Sequence, residues 1–334
     1  MSNVKIHPKN KKNKQLDFKS WQDKHFSTNH NFKFDILNWK TDGMIFASSA
    51  LFVPLLLSII FTIFFNLQSS VNVQATLQIL TLISVGVGFI FNYMRNGSGF
   101  WKNGYGWFYI YTFLQPVLAL LLSIFLLSIP NSDDIKSFLT IGLYIVSTTI
   151  LVILVMTKDR TIFKRIKETL KTQKVKLLLV TFVGIVLILA ICQGIFVYLY
   201  NWIFNIKGES NNQESLIGPL KNKNTSTITK VIYLSILFIY VVLLAPICEE
   251  IVTRNCWFLN VSNKWFAYIT SSIYFGFLHF GFTGDYIHSL SYISSGFILG
   301  GAFILTKGNV TYSWMLHLTN NLISFILILV SIFI

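Results

Sequence analysis

Long apolar stretches separated by short polar segments dominate the sequence. Nine of them follow the first 42 residues, at approximately 44–66, 73–93, 107–129, 138–156, 177–202, 228–260, 265–280, 287–306 and 312–334. A helix needs about 20 apolar residues to cross the hydrocarbon core of a bilayer, and most of these stretches reach or approach that length. Only 12% of the residues are charged, against about 25% in a soluble domain. The sequence therefore predicts an all-α, polytopic transmembrane helical bundle with about eight or nine spans.

The distribution of basic residues argues against a nucleic-acid partner, despite a net charge of +14. Lysine and arginine concentrate in the N-terminal tail and in alternate loops, as the positive-inside rule describes for cytoplasmic segments. We therefore expect the N terminus, the loop around Arg95 and the loop at 158–176 to lie in the cytoplasm. Residues 208–230 and the C terminus are expected on the other side of the membrane.

The chain divides into three regions. Residues 1–42 form a basic N-terminal arm, predicted to be cytoplasmic and partly disordered, which either lies on an anionic leaflet or is a solvated topology signal. Residues 43–227 are predicted to be structural transmembrane helices, with a basic amphipathic helix at 157–176 resting on the inner membrane surface. Composition changes at about residue 228, and residues 228–334 contain the acidic and histidine residues of the membrane interior. The aromatic residues of the arm include Trp21, Phe26, Phe32, Phe34 and Trp39.

Two adjacent glutamates, Glu249 and Glu250, end the long apolar run that begins near residue 231. A carboxylate inside a bilayer costs at least about 2.5–3.5 kcal/mol, which makes each of them a functional-site candidate. Residues four apart share a helix face, so Glu250 is expected to pair with Arg254. Glu249 points about 100° away and has no local partner, as a general base requires.

Two later helices carry further polar side chains in the membrane interior. His279 follows Phe275, which we interpret as a wall residue, and His317 shares a helix face with Asn321. Counted from the cytoplasmic helix ends, Glu249 and both histidines lie at similar depths of about 15–22 Å, so they can meet at one level reachable from the cytoplasm.

A glutamate and a histidine can together deprotonate water, while a second histidine and an asparagine stabilise an oxyanion. Alternatively, Glu249, His279 and His317 could ligate zinc, which would activate the same water. The absence of an HExxH motif or a Cys/His cluster favours catalysis without a metal.

These motifs, EExxxR at 249–254, FxxxH at 275–279 and HxxxN at 317–321, resemble the CAAX protease and bacteriocin-processing (CPBP, or Abi) family over about residues 228–334. That family includes type II CAAX prenyl endopeptidases and lysostaphin-resistance-like proteins. The resemblance implies an intramembrane glutamic-type endopeptidase in which Glu249 and His279 activate water and His317 and Asn321 form the oxyanion site. Glu250 and Arg254 would then support this geometry. Two departures from the family pattern are Asn255, where many members have a small residue, and the long N-terminal arm.

Other functions stay open at this point. The protein could be a catalytically idle membrane scaffold or a bacteriocin self-immunity protein, or a transporter that uses Glu249 and the histidines as a proton relay. As a protease it would act on a membrane-associated protein or peptide, with or without a lipid anchor. A composition rich in Asn, Lys and Ile suggests a bacterial source, and hence a multi-pass protein of the plasma membrane.

Overall fold

A computed structural model describes residues 18–126, 133–205, 210–222 and 225–333. Helices, and no strands, make up the regular structure of these residues. Two short helical turns, Gly99–Lys102 and Tyr286–His288, accompany twelve longer helices. These are α1 Phe18–Phe26, α2 Trp39–Phe65, α3 Val71–Asn96, α4 Trp107–Leu126, α5 Asp133–Lys158, α6 Arg160–Thr172, α7 Lys174–Ile203, α8 Asn211–Lys221, α9 Thr227–Val261, α10 Lys264–Phe280, α11 Ser289–Leu305 and α12 Val310–Phe333.

Seven helical segments of the described chain are long and apolar enough to cross a membrane, namely α2, α3, α5, α7, α9, α12, and α11 together with its preceding turn, which make a 20-residue span, Tyr286–Leu305. The protein is thus an integral multi-pass membrane protein, and the predicted all-α bundle is confirmed. The other two predicted spans correspond to α4, whose apolar stretch is Trp107–Leu122, and to α10, which has 17 residues. At about 1.5 Å per residue, 17 residues extend only about 25 Å, less than the hydrocarbon core. The count of eight or nine is therefore approximate.

The predicted functional region forms the centre of the bundle. All residues of α9 from Glu250 to Val261 are buried. Helices α10 and α11 approach closely through glycines, since a methyl group on Gly276 would lie 2.5 Å from Ile293 and one on Gly296 would lie 2.5 Å from the Ser272 carbonyl oxygen. Small residues of this kind permit two helix backbones to approach within a membrane.

An aromatic cluster fills one end of the bundle, on the side of residues 18–38, which we call the N-terminal segment. Trp257 of α9 stacks on Tyr274 of α10, with ring centroids 4.3 Å apart, and both pack against Phe108 of α4. Phe258 and Phe303 continue the cluster between α9 and α11. This end of the bundle is therefore solidly packed.

The described part of the N-terminal arm is docked on this same end. Phe26 packs edge-on against Tyr312, and Phe32 against Phe303, with ring centroids 5.5 and 5.2 Å apart. The Gln22 side chain donates hydrogen bonds to two backbone carbonyls at the end of α11. Neither alternative for the arm, contact with a leaflet or a solvated tail, describes Phe26 and Phe32, because both side chains are buried against the protein. Residues 1–17 lie outside the described chain.

Helix α6 is the amphipathic helix predicted at 157–176. Its apolar face is divided, since Ile162 and Ile166 are buried in the protein while Phe163 and Leu170 are exposed. Arg165 lies on the buried side and donates hydrogen bonds to backbone carbonyls of the N-terminal segment and of the turn between α11 and α12. Contacts with the protein, in addition to any with lipid, therefore position α6.

Candidate active site

Helix α9 presents its glutamates between two wide π-helical stretches, Ile239–Leu244 and Ile251–Cys256. Three further stretches of this kind occur in the described chain, Trp39–Gly43, Ser48–Phe52 and Leu189–Phe196, so they do not by themselves mark a site. The stretch Ile239–Leu244 ends beside Pro246, which lacks an N–H group. Because the Ala245 N–H bonds the Tyr240 carbonyl in the i→i−5 pattern, the next N–H, at position 246, would have served the Val241 carbonyl. The proline therefore leaves the Val241 carbonyl without a partner from its own helix.

Asn321 of α12 satisfies that carbonyl. Its side-chain nitrogen donates to the Val241 oxygen over 2.9 Å, and it lines the same cavity as Glu249. Asn321 was predicted from its sequence spacing as an oxyanion donor. The structure shows that one of its two N–H groups bonds the backbone of α9, which leaves one for other partners.

Glu250 and Arg254 form the predicted ion pair within α9. The Arg254 Nε atom lies 3.2 Å from Glu250 Oε2, and both side chains have no exposed surface. Arg254 Nη1 also donates to Ser271 Oγ of α10 over 2.5 Å. The guanidinium lies over the Phe275 ring, 5.2 Å from its centroid. A buried arginine of this kind needs both its counter-charge and its hydrogen bonds.

His317 lies between the two glutamates. Its Nδ1 is 3.2 Å from Glu250 Oε1, and its Nε2 is 3.9 Å from Glu249 Oε2. Glu250 thus holds both Arg254 and His317 through its two oxygens. This contact fixes the orientation of the imidazole and directs its second nitrogen at Glu249.

His279 approaches Glu249 from α10. Its Nε2 is 4.0 Å from Glu249 Oε2, and its ring lies parallel to that of Tyr292, with centroids 4.7 Å apart. Phe275 stands between the two histidines, 5.0 Å from one ring and 5.4 Å from the other. The Phe275 ring therefore forms part of the wall of the candidate site. Sequence reasoning missed Tyr292, since one tyrosine among small residues in α11 carries no spacing signal.

Glu249 differs from its neighbour in its environment. Its Oε2 atom is buried and has no hydrogen-bond partner among the described residues, whereas its side chain is 15% exposed toward a cavity. Both imidazole nitrogens next to Oε2 lie beyond direct hydrogen-bond distance. The structure thus brings Glu249, His279 and His317 together, as their depths in the sequence predicted.

The cavity has a volume of about 940 Å³ and extends from these three residues in one direction only. Its described lining reaches Val71 at the start of α3 and Asn212 in α8, and it includes none of the residues at the end where the N-terminal segment docks. The sequence predicted both a cytoplasmic N terminus and a site reachable from the cytoplasm. These predictions exclude each other, because the cavity opens at the end opposite the N-terminal segment.

The three residues have the donor set of a catalytic zinc site. Ligand atoms about 2.0 Å from a tetrahedral zinc ion are about 3.3 Å apart, whereas the observed separations are 3.9 and 4.0 Å. No group of three or more His, Cys, Asp or Glu residues in the described chain has the geometry to hold a metal ion. The side chains as placed do not fit zinc.

The fold and site define a multi-pass membrane protein with an acid–histidine cluster open to an intramembrane cavity. Residues 231–323, which include all seven predicted site residues, match the family described as type II CAAX prenyl endopeptidase Rce1-like. The chain belongs to the CAAX protease and bacteriocin-processing family, which supports a CAAX-type intramembrane endopeptidase activity in general and a membrane-associated substrate.

An uncharacterized protein of Mycoplasma capricolum subsp. capricolum is 32% identical over 314 residues, which is 91% of each chain. The similarity therefore includes the N-terminal half as well as the helices of the site. No solved structure matches the chain.

Proposed function

We propose that this protein is an intramembrane endopeptidase that hydrolyses a peptide bond of a membrane-associated protein or peptide with water activated by Glu249. The observation that supports this most strongly is the position of Glu249 Oε2. It lacks a hydrogen-bond partner in the described chain and lies 4.0 Å from one imidazole nitrogen and 3.9 Å from another. Polar contacts of this length are commonly bridged by water.

In the proposed reaction, water donates one hydrogen bond to Glu249 and a second to His279. Glu249 takes a proton as the water oxygen bonds to the carbonyl carbon of the substrate. The tetrahedral intermediate carries an oxyanion, and its C–N bond breaks when Glu249 returns the proton to the leaving amine. The products are a carboxylic acid and an amine, and the glutamate regains its starting charge.

His317 and the second N–H of Asn321 are the proposed oxyanion donors. Each His317 nitrogen faces a carboxylate oxygen, Nδ1 that of Glu250 and Nε2 that of Glu249. Preorganised donors of this kind supply a large part of enzymatic rate enhancement.

Two further hypotheses use the same residues. In a zinc-dependent version, Glu249, His279 and His317 would hold the ion after moving closer together. Dialysis against a strong chelator followed by a proteolysis assay distinguishes the two versions, and the metal-free mechanism predicts unchanged activity. A transporter is less well supported, because interior ionisable groups would be expected in both halves of the chain rather than in residues 228–334 alone.

The proposal is tested by comparing membrane peptides from cells that produce the parent protein, Glu249→Gln or Glu214→Gln. Glu214 is an exposed residue of α8 and serves as the matched control. We expect at least one peptide that the parent and Glu214→Gln generate and that Glu249→Gln does not. Identical peptide sets from all three would contradict peptidase action and favour the idle scaffold or self-immunity protein.

A further inference from the structure

The end of the bundle that carries the N-terminal segment is closed. Beyond Arg254, α9 is surrounded by protein, with Trp257 and Phe258 fully buried. The start of α2 touches the end of α9, since a methyl group on Gly43 would lie 2.2 Å from the Val261 carbonyl oxygen. Phe32 packs over the same end against Phe303. A substrate therefore has no path to Glu249 from this side through the packed residues.

The opposite end of the cavity is bordered by α8. The Asn211 N–H donates to Asp285 Oδ2 over 3.0 Å, and Ser210 and Tyr292 share a hydrogen bond of 2.6 Å. These contacts hold the start of α8 beside the turn between α10 and α11. Tyr292 also stacks on His279. Tyr292 therefore contacts both the border of the opening, through Ser210, and the candidate site, through His279.

The cavity lining combines polar and apolar side chains and has almost no charged ones. Glu249 is the one Asp, Glu, Lys or Arg among the described lining residues. Amide side chains, which donate and accept hydrogen bonds as peptide groups do, occur along its length. They include Gln74, Gln78, Gln115, Asn201, Asn212 and Asn320. Such a surface can pair with a polypeptide backbone, whereas a charged side chain held away from Glu249 would be desolvated there without an opposite charge.

Basic residues identify the closed end as cytoplasmic. The described residues there include Arg95, Lys264, Lys307 and the basic helix α6, while those at the open end include three lysines, Lys136, Lys221 and Lys230, together with Glu214 and Asp285. An excess of lysine and arginine in short loops marks the cytoplasmic side. The cavity therefore opens toward the other side of the membrane.

From these observations we infer that the site takes an uncharged segment of polypeptide, delivered from the non-cytoplasmic face of the membrane. The inference rests on the proposed function and deepens it by assigning the substrate class and the side of entry.

The side of entry is tested by cysteine labelling. The three native cysteines are buried, so a single added cysteine can be followed with a membrane-impermeant, charged thiol reagent. Ser324→Cys and Thr112→Cys place the thiol in the cavity, and Asn103→Cys places it at the closed end. In right-side-out vesicles we expect both cavity cysteines to react at least about tenfold faster than in inverted vesicles, with the reverse for Asn103→Cys. Faster labelling of both cavity cysteines in inverted vesicles, or none in either, would overturn the side of entry.

The substrate class is tested with acetylated, amidated peptides of Ser, Thr, Asn, Gln and Leu supplied to right-side-out vesicles. Matched peptides carry one lysine or glutamate away from the scissile bond. We expect the uncharged peptides to be cleaved at least about tenfold faster. Equal cleavage of the charged peptides, or no cleavage of any uncharged one, would overturn the substrate assignment.

Glu249→Gln separates the inference from the proposed function. If this variant cleaves the peptides like the parent, the proposed function fails even when the labelling pattern is as expected. If cleavage requires Glu249 but occurs only when peptides reach the cytoplasmic side, the proposed function stands and the inference fails.

Discussion

Glu249 and Glu250 are adjacent in sequence but have different surroundings. Glu250 is fully buried and holds both Arg254 and His317 through its carboxylate oxygens. Glu249 faces the cavity and leaves Oε2 without a hydrogen-bond partner in the described chain. Removal of one partner of a buried ion pair strongly destabilises the folded protein, because the other charge stays buried without compensation. A side chain outside such a pair can be replaced with little effect on folding.

Substitution of each glutamate by glutamine separates the two roles. Glu250→Gln leaves the Arg254 charge buried and unbalanced, and we expect a loss of about 3–5 kcal/mol in the free energy of unfolding. Glu249→Gln is expected to abolish proteolysis while its thermal unfolding in detergent stays within about 2 °C of the parent. Equal destabilisation by the two substitutions would contradict this division.

Tyr292 is expected to position His279 by stacking on it. Tyr292→Ala removes the parallel ring, and aromatic pairs contribute about 0.5–1.5 kcal/mol beyond their buried area, so we expect a two- to tenfold lower kcat with little change in KM. Tyr292→Phe is the control, because it keeps the ring and loses only the hydroxyl, which bonds Ser210 and Asn212. A loss of activity as large in Tyr292→Phe would mean that the hydroxyl, not the stack, matters.

In helix α9, a backbone hydrogen bond that is lost at a proline is replaced by a hydrogen bond from a side chain of another helix. Pro246 cannot donate the hydrogen bond that the Val241 carbonyl would receive in a π-helical stretch, and Asn321 donates it instead from α12. Side chains of neighbouring helices commonly satisfy backbone groups freed by proline within membranes. This hydrogen bond ties α9, which carries both glutamates, to α12, which carries His317.

A double-mutant cycle measures this compensation. Asn321→Ala leaves the Val241 carbonyl unpaired and is expected to cost about 1–3 kcal/mol of unfolding free energy. In the Pro246→Ala background the restored N–H can serve that carbonyl, so the same substitution should cost about 1 kcal/mol less. Asn320→Ala is the control, since the Asn320 side-chain nitrogen donates to Asn321 and not to Val241. Strict additivity of Pro246→Ala and Asn321→Ala would contradict the compensation.

At the scale of the whole molecule, the N-terminal segment closes one end of the bundle. It joins α6, α11 and α12 through buried aromatic rings and through hydrogen bonds from Gln22 and Arg165. Lys307 and Asp23 form an ion pair at the same place. The helices of the site are thereby linked at their closed end by residues that precede the first transmembrane helix.

Phe32→Ala tests whether this segment is part of the folded structure. Truncation of a buried phenylalanine costs about 3–5 kcal/mol, so we expect clearly earlier unfolding of the whole protein in detergent. Phe18→Ala changes a residue that is 53% exposed and should stay within about 0.5 kcal/mol of the parent. Identical unfolding of the two variants would indicate that the segment does not contribute to stability.

The sequence by itself determined the class of protein and the features that are local to one helix. The lengths of the apolar stretches indicate transmembrane helices, and helix geometry places Glu250 beside Arg254 without reference to any other element. The depths of Glu249, His279 and His317 also follow from residue counts along each helix, because the membrane supplies a common reference plane.

Only the tertiary structure decided which surfaces face each other across helices. The stack of Tyr292 on His279, the bond from Asn321 to the α9 backbone, the docking of Phe32 and the direction of the cavity all depend on how the helices are rotated and packed. Residue spacing defines a face on one helix but not its partner, because contacts between helices form by close packing of shapes that no single segment specifies.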